Sequence, residues 1–426
     1  VRALIVLFFL AASILLPDLQ IHADNWNPWR GPDGTGASPA TDLPLTWSQE
    51  ENVIWKVAVP GVGSSTPIIW DNKVFVLTAV KKASAGGAAT EDGATHVHQF
   101  LVVCYDKDSG QKIWDKVVAE EAPHEAGHKD NTFASSSALT DGKHVYADFG
   151  SRGIYCLDMD GNVKWSKNLG KMKTRMGFGE GSSPAIFENT LVVPWDNETQ
   201  SRIVALDASN GEEKWNVDRK ERTTWATPLI VEHHGTVQVI ANGTSVRSYD
   251  LKDGSLIWEC GGQVQNPIPS PVLFGDHVIA MTGFRGNKIQ SISLDAKGPV
   301  TGPPFLAWSR DDAAPYVPSP ALYKGTLYFC KQNNATVSSV DAKTGEVLLK
   351  PTRISGLDTI YSSPVAAADR IYFTGRDGTT VVIKHAPTLE VLATNTLGEP
   401  VDSSLAIVDN RIYIRTSSTL YCIGKK

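Results

Sequence analysis

Short runs in which apolar residues predominate and alternate with polar ones recur along nearly the whole chain. Lys73-Val74-Phe75-Val76-Leu77 and Arg370-Ile371-Tyr372-Phe373 are examples, each bounded by Asp, Asn or Gly. A period near two sets successive side chains on opposite faces of a strand, and the bounding residues are those that turn a chain between strands. Past residue 23 no segment sustains the period of a long helix. The pattern predicts an all-β protein.

The runs fall into a repeating unit. A Ser/Thr-Pro pair leads into an apolar strand, a polar turn, a second strand, a third strand ending in Asp, a Gly turn and a fourth strand carrying Trp. Ser182-Ser183-Pro184 opens one complete copy, which continues through Glu188-Asn189, residues 191–195 and 202–207, Asn210-Gly211 and residues 212–217. The marker position recurs at Pro67, Ala138, Pro184, Pro228, Pro271, Pro320, Pro364 and Leu405, at intervals of 41–49 residues after a first interval of 71. Four short strands in roughly 40–45 residues make a propeller blade, so eight markers predict an eight-bladed β-propeller of four-stranded antiparallel blades.

The corner between third and fourth strands repeats as Asp106…Gly110…Trp114, Asp158…Gly161…Trp165, Asp207…Gly211…Trp215 and Asp250…Gly254…Trp258, and with an insertion as Asp295…Trp308. One large ring per blade suits packing between neighbouring sheets, which makes these tryptophans architectural. The last copy, from Ser403-Ser404-Leu405 to Lys426, has room for three strands. Residues 52–59, with Trp55 among them, look like the missing fourth strand, so the N-terminal strand is expected to close the ring and cover an open edge. Residues 26–36 are too rich in Gly and Pro for a regular element and read as an arm on the ring, with Trp26 and Trp29 as anchors. The expected organisation is a cleavable leader over 1–23, an arm over 24–50 and the propeller over 51–426.

The leader is read from Arg2, the apolar residues 3–16 and Ile21-His22-Ala23, the form of a secretory signal. Cleavage near Ala23 would place the mature chain in the periplasm or outside the cell. No membrane span is expected in the mature chain, since no later stretch approaches ~18 apolar residues. A formal net charge of −6 with mixed signs offers no basic stripe for a phosphate backbone, which argues against nucleic acid. Of the five cysteines, Cys104, Cys156 and Cys422 hold the place in their repeats that Ala205 holds in another, so they read as small core residues. A monomer is expected.

Chemistry would gather on the rim made by the second-to-third-strand loops and the links between blades. Two insertions there carry His96, His98, His124 and His128, and His124-Glu125-Ala126-Gly127-His128 matches H-E-x-x-H. That motif binds zinc when a helix sets both imidazoles on one face. Pro123 before it and Gly127 inside it leave barely a turn of helix, so these histidines are weak metal candidates and no catalytic residue is assigned. The other candidates are polar and aromatic residues feeding the innermost strands: Arg175, Glu180, Trp225, Asn242, Asn266, Tyr316, Tyr361 and Asp402, with Thr223, Thr224, Gln265 and Asp358 beside them. They describe a polar, aromatic-dotted funnel, a default binding site.

The Asp…Gly…Trp corner resembles the repeat of the quinoprotein-like propellers, which include pyrroloquinoline quinone (PQQ) dehydrogenases and BamB-like assembly proteins. Trp29-Arg30-Gly31-Pro32, Pro123-His124-Glu125, Gly179-Glu180-Gly181-Ser182-Ser183-Pro184, Trp225-Ala226-Thr227-Pro228 and Tyr421-Cys422-Ile423 look like the BamB-like PQQ-repeat members. The resemblance implies an exported, non-catalytic propeller that binds a protein or peptide partner in the cell envelope. Its alternative is a divergent PQQ- and calcium-dependent alcohol or sugar dehydrogenase, in which Trp225 would stack on the quinone and Glu180 and Asn242 would lie near calcium. Two enzyme features are missing: the adjacent-cysteine disulfide, and the Trp-Asp segment that supplies the catalytic Asp, where Gln263-Val264-Gln265-Asn266-Pro267 stands instead.

Overall fold

The computed structural model describes residues 25–82 and 96–425. The leader expected over 1–23 and the centre of the first insertion lie outside the described residues. The rest forms eight antiparallel sheets arranged as the blades of a propeller. Blade one, for instance, comprises Ile68–Trp70, Lys73–Lys81, His98–Asp106 and Lys112–Glu121. Burial follows the radial order. The second and third strands of each blade are almost wholly buried, whereas fourth strands such as Glu213–Asp218 alternate between a buried and an exposed face.

The ring closes as the strand arithmetic requires. Val53–Ala58 pairs antiparallel with Thr419–Ile423 and completes the sheet that Ala406–Val408 and Arg411–Arg415 begin. One blade departs from the four-stranded plan. The insertion between Asp295 and Trp308 contributes Gly298–Val300, which adds in parallel to the outer strand Leu256–Gly261 of blade four and covers that edge.

The tryptophans explain why the corner repeats. Trp55, Trp114, Trp165, Trp215 and Trp308 each donate an indole N–H to a backbone carbonyl of the next blade, at Lys107, Met159, Ala208, Leu251 and Ala342. Each ring also lies on the turn glycine of that next blade. A Cβ on Gly211 would come within 2.7 Å of the Trp165 ring, and the residue's φ of +75° is itself unfavourable for a side chain. Trp258 is the exception. The next blade carries the insertion, and the indole turns to Gln238 Oε1 at 3.0 Å. Across the outer strand pair every one of these rings faces a small residue: Cys422, Cys104, Cys156, Ala205, Ser248 or Ser291. Cysteine is used here for its size, and all five thiols are free and buried.

The arm crosses the face formed by the first-to-second-strand turns. Trp26 bridges to Ile69 of blade one, the Asn27 side chain reaches Thr140 of blade two, and Trp29 Nε1 donates to Thr227 Oγ1 of blade four at 3.1 Å. Arg30 then donates to the carbonyls of Pro320 and Pro364, both at 2.8 Å, and burial lowers its pKa to about 9. The arm thereby ties opposite sides of the ring together and closes one end of the central channel.

Candidate functional site: the open mouth of the channel

The hydroxyl residue before each blade marker builds the inner wall. Its backbone N–H donates to the hydroxyl of its counterpart in the next blade. The chain of bonds runs Thr66, Ser137, Ser183, Thr227, Ser270, Ser319, Ser363, Ser404 and back to Thr66, with lengths of 2.9–3.4 Å. Eight buried N–H groups that no strand ladder reaches are satisfied by this ring. The sequence carried the signal for it: a Ser or Thr precedes every marker, including Ala138 and Leu405 where the proline is replaced.

Most of these hydroxyls form the lower wall of a cavity of about 430 Å³, with Trp29 at its floor. Above them the cavity opens between Phe178, Trp225, Ile268, Phe284, Tyr316 and Tyr361, with His128, Asp130, Asn131 and Asp402 among the polar residues. Phe284 and Tyr316 stack at 4.8 Å, and Phe178 meets the His128 ring edge-on at the same separation. Opposite Trp225, Arg376 grips Asp402 through Nε at 2.7 Å and Nη2 at 3.1 Å, and its Nη1 reaches Asp130 at 2.8 Å. The guanidinium lies over the Tyr361 ring, 4.2 Å from its centroid. Its hydrogen bond holds Asp130 below the usual carboxylate range, and Asp402 raises the pKa of Arg376.

Of the predicted funnel residues, the structure gathers Trp225, Tyr316, Tyr361 and Asp402 around this cavity, and the weak metal candidate His128 with them. The others stand apart from it. Glu180 is a hub beneath the rim, taking Ser151 N–H at 2.8 Å, Ser151 Oγ at 2.5 Å and Arg152 Nη1 at 2.7 Å. Asn242 spends its amide on the carbonyls of Pro269 and Met281 and its oxygen on Gly243 N–H. Arg175 reaches toward Gln265, Asn266 is buried with a φ of 54°, and Asp358 pairs with Arg353 at the surface. Thr223 and Thr224 bond Glu198 and Asp196.

The H-E-x-x-H segment is not helical. His124 Nε2 lies 2.6 Å from the Met172 carbonyl, and Glu125 accepts from Thr174. His98 Nδ1 lies 2.9 Å from the His96 carbonyl. Among the described residues, His96, His98, His124 and His128 form no cluster with the spacing of a metal site. Sequence reasoning missed Asp130, Phe284 and Arg376, which lie in links and loops whose neighbours come from other blades.

The family described as outer membrane protein assembly factor BamB matches residues 46–176, 98–350 and 179–426, overlapping spans as expected of a repeat. The chain belongs to this PQQ-repeat β-propeller family. Solved structures similar to it include the quinohemoprotein alcohol dehydrogenase of Comamonas testosteroni, with a TM-score of 0.62 and 12% identity over 95% of this chain and 81% of that one. A europium-containing methanol dehydrogenase gives 0.64 and 10% over 94% and 98%, and the computationally designed protein Ika8 gives 0.55 and 13% over 86% and 100%. At such identities they show the shared fold alone. No curated protein sequence matches the chain.

Proposed function

We propose that this member of the family is an exported, non-catalytic scaffold whose channel mouth binds a neutral or basic segment of a protein partner in the cell envelope, as a factor in outer-membrane protein assembly. The observation that carries this reading is the chemistry of the lining. Eight apolar or aromatic side chains and two carboxylates face the cavity, with no Arg or Lys among its lining residues. Together Asp130, Asp402 and Arg376 leave one net negative charge, which favours a partner segment carrying a basic side chain. The aromatic faces offer contact to an apolar or cationic side chain.

The same chemistry argues against the quinone reading. PQQ is a flat tricarboxylate, and in this mouth it would meet Asp130 and Asp402, whose two charges the single Arg376 offsets only in part. A calcium ion beside it needs oxygen ligands, but Glu180 is held by Arg152 and Ser151, and Asn242 by backbone groups of blade five. The three side-chain oxygens expected near calcium, two on Glu180 and the one on Asn242 that accepts from Gly243 N–H, are therefore already engaged, and the residues present do not fit the cofactor.

The test is site-specific photocrosslinking in the producing cells. A crosslinker at Tyr316 should capture a defined partner. One at Leu256 on the outer edge should not, and Trp225→Ala in the Tyr316 background should abolish the adduct. Equal capture from both positions, or none from Tyr316, would reject the mouth as the binding surface.

A further inference from the structure

On the face opposite the mouth, blades four and five bring together four groups that the channel does not use. The hairpin after Leu229–His233 turns through His234 and Gly235, both with positive φ (50° and 77°), a geometry that lets two adjacent imidazoles turn toward each other. The rings lie 4.1 Å apart. Asp295, at the start of the blade-five insertion, places Oδ1 2.8 Å from His233 Nε2 and 3.7 Å from His234 Nε2. Among the described residues this is the one group of three such side chains whose ligand atoms all lie within 4.8 Å of one another.

We propose that His233, His234 and Asp295 form a binding site for a divalent transition metal, with zinc the best chemical match. Imidazole and carboxylate ligands suit zinc, cobalt and nickel. Zinc–ligand bonds of about 2.0–2.2 Å at tetrahedral angles put neighbouring ligand atoms about 3.3 Å apart, and the two Asp295 distances bracket that value. Asp276 supplies a further element of such sites. Its Oδ1 lies 3.8 Å from His233 Nδ1, the nitrogen that does not face Asp295. With a metal ion in place of the 2.8 Å hydrogen bond between Nε2 and Asp295, a carboxylate on that side would favour hydrogen on Nδ1. The His233 side chain is only 8% exposed and therefore held, whereas those of His234 and Asp295, 78% and 57% exposed, leave room for water in the remaining positions.

The bound ion would fasten the first hairpin of blade four to the corner of blade five from which Gly298–Val300 departs. Gln238 already makes one such link, donating to the Leu294 carbonyl at 2.8 Å. The metal would thus reinforce the segment that covers the blade-four edge.

The experiment uses the mature chain without a histidine tag, titrated with Zn²⁺ by calorimetry at pH 7.5 and with Co²⁺ by visible absorption. About one equivalent should bind, with the cobalt spectrum showing four or five ligands. His234→Ala and Asp295→Asn, both at exposed positions, should weaken binding at least ~10-fold with unchanged circular dichroism. His124→Ala/His128→Ala should leave it intact. No binding, or binding that survives both single substitutions and disappears with the rim pair, would overturn the assignment.

Discussion

Arg376 of blade seven donates to Asp130, in the link between blades one and two, at 2.8 Å, and so spans blade eight at the channel mouth. The two residues are 246 positions apart in sequence. The same guanidinium holds Asp402, so the one Arg among these three groups fixes the carboxylate side of the mouth. Arg376→Gln should free the 122–133 link without unfolding the ring, because a part-exposed ion pair contributes at most ~1 kcal/mol. Hydrogen exchange of amides 128–132 should quicken by about two- to five-fold while the melting temperature barely moves. Unchanged exchange would show that the link is held by other contacts.

Gly211 is the cleanest probe of the blade corner. Gly211→Ala would press a Cβ into the Trp165 ring and impose a left-handed backbone on a residue with a side chain. Overpacking and backbone strain together should cost about 2–4 kcal/mol, read as a lower urea midpoint. Gly235→Ala, also at positive φ but with nothing within 4 Å, should cost less because only the strain remains.

Ser319 tests the hydroxyl ring. Its Oγ accepts the Ser270 N–H at 2.9 Å in a buried setting. Ser319→Ala leaves that N–H without its partner and should cost about 1–3 kcal/mol. Ser319→Thr, which keeps the acceptor, should recover most of the loss in the same denaturation assay.

Asp148 gives stability a pH dependence of definite sign. Burial pushes its carboxyl up to about 7, from an unfolded value near the ordinary ~3.9. The fold favours the protonated form, so this contribution is fully present below the unfolded pKa and is lost as pH rises through 7. Asp148→Asn, which is neutral throughout, should be more stable relative to the parent at pH 8 than at pH 5. Equal differences at the two pH values would contradict the burial argument.

The fold was legible because each blade repeats one local solution. The Trp165–Gly211 contact needs only the spacing of a corner and its successor, and the Val53–Ala58 closure follows from counting strands. The site was legible in part. Trp225, Tyr316, Tyr361 and Asp402 could be placed because they feed innermost strands whose position the repeat fixes. Arg376 and Asp130 could not, since their pairing depends on which blades stand beside each other at the closure. Glu180 and Asn242 show the converse. Their residue types and blade positions suggested ligand contact, but the sequence says nothing of Arg152, Pro269 or Met281 arriving to occupy them.

The most direct test of the central claim, a mouth suited to a neutral or basic protein segment and not to an anionic quinone, is a titration of the purified chain with PQQ in the presence of Ca²⁺. Tryptophan fluorescence and dye-linked alcohol oxidation are followed together, with Trp225→Phe as the reference. The account predicts no saturable quenching beyond that of the variant and no dye reduction. Saturable quenching that requires Trp225, or alcohol-dependent turnover, would contradict it.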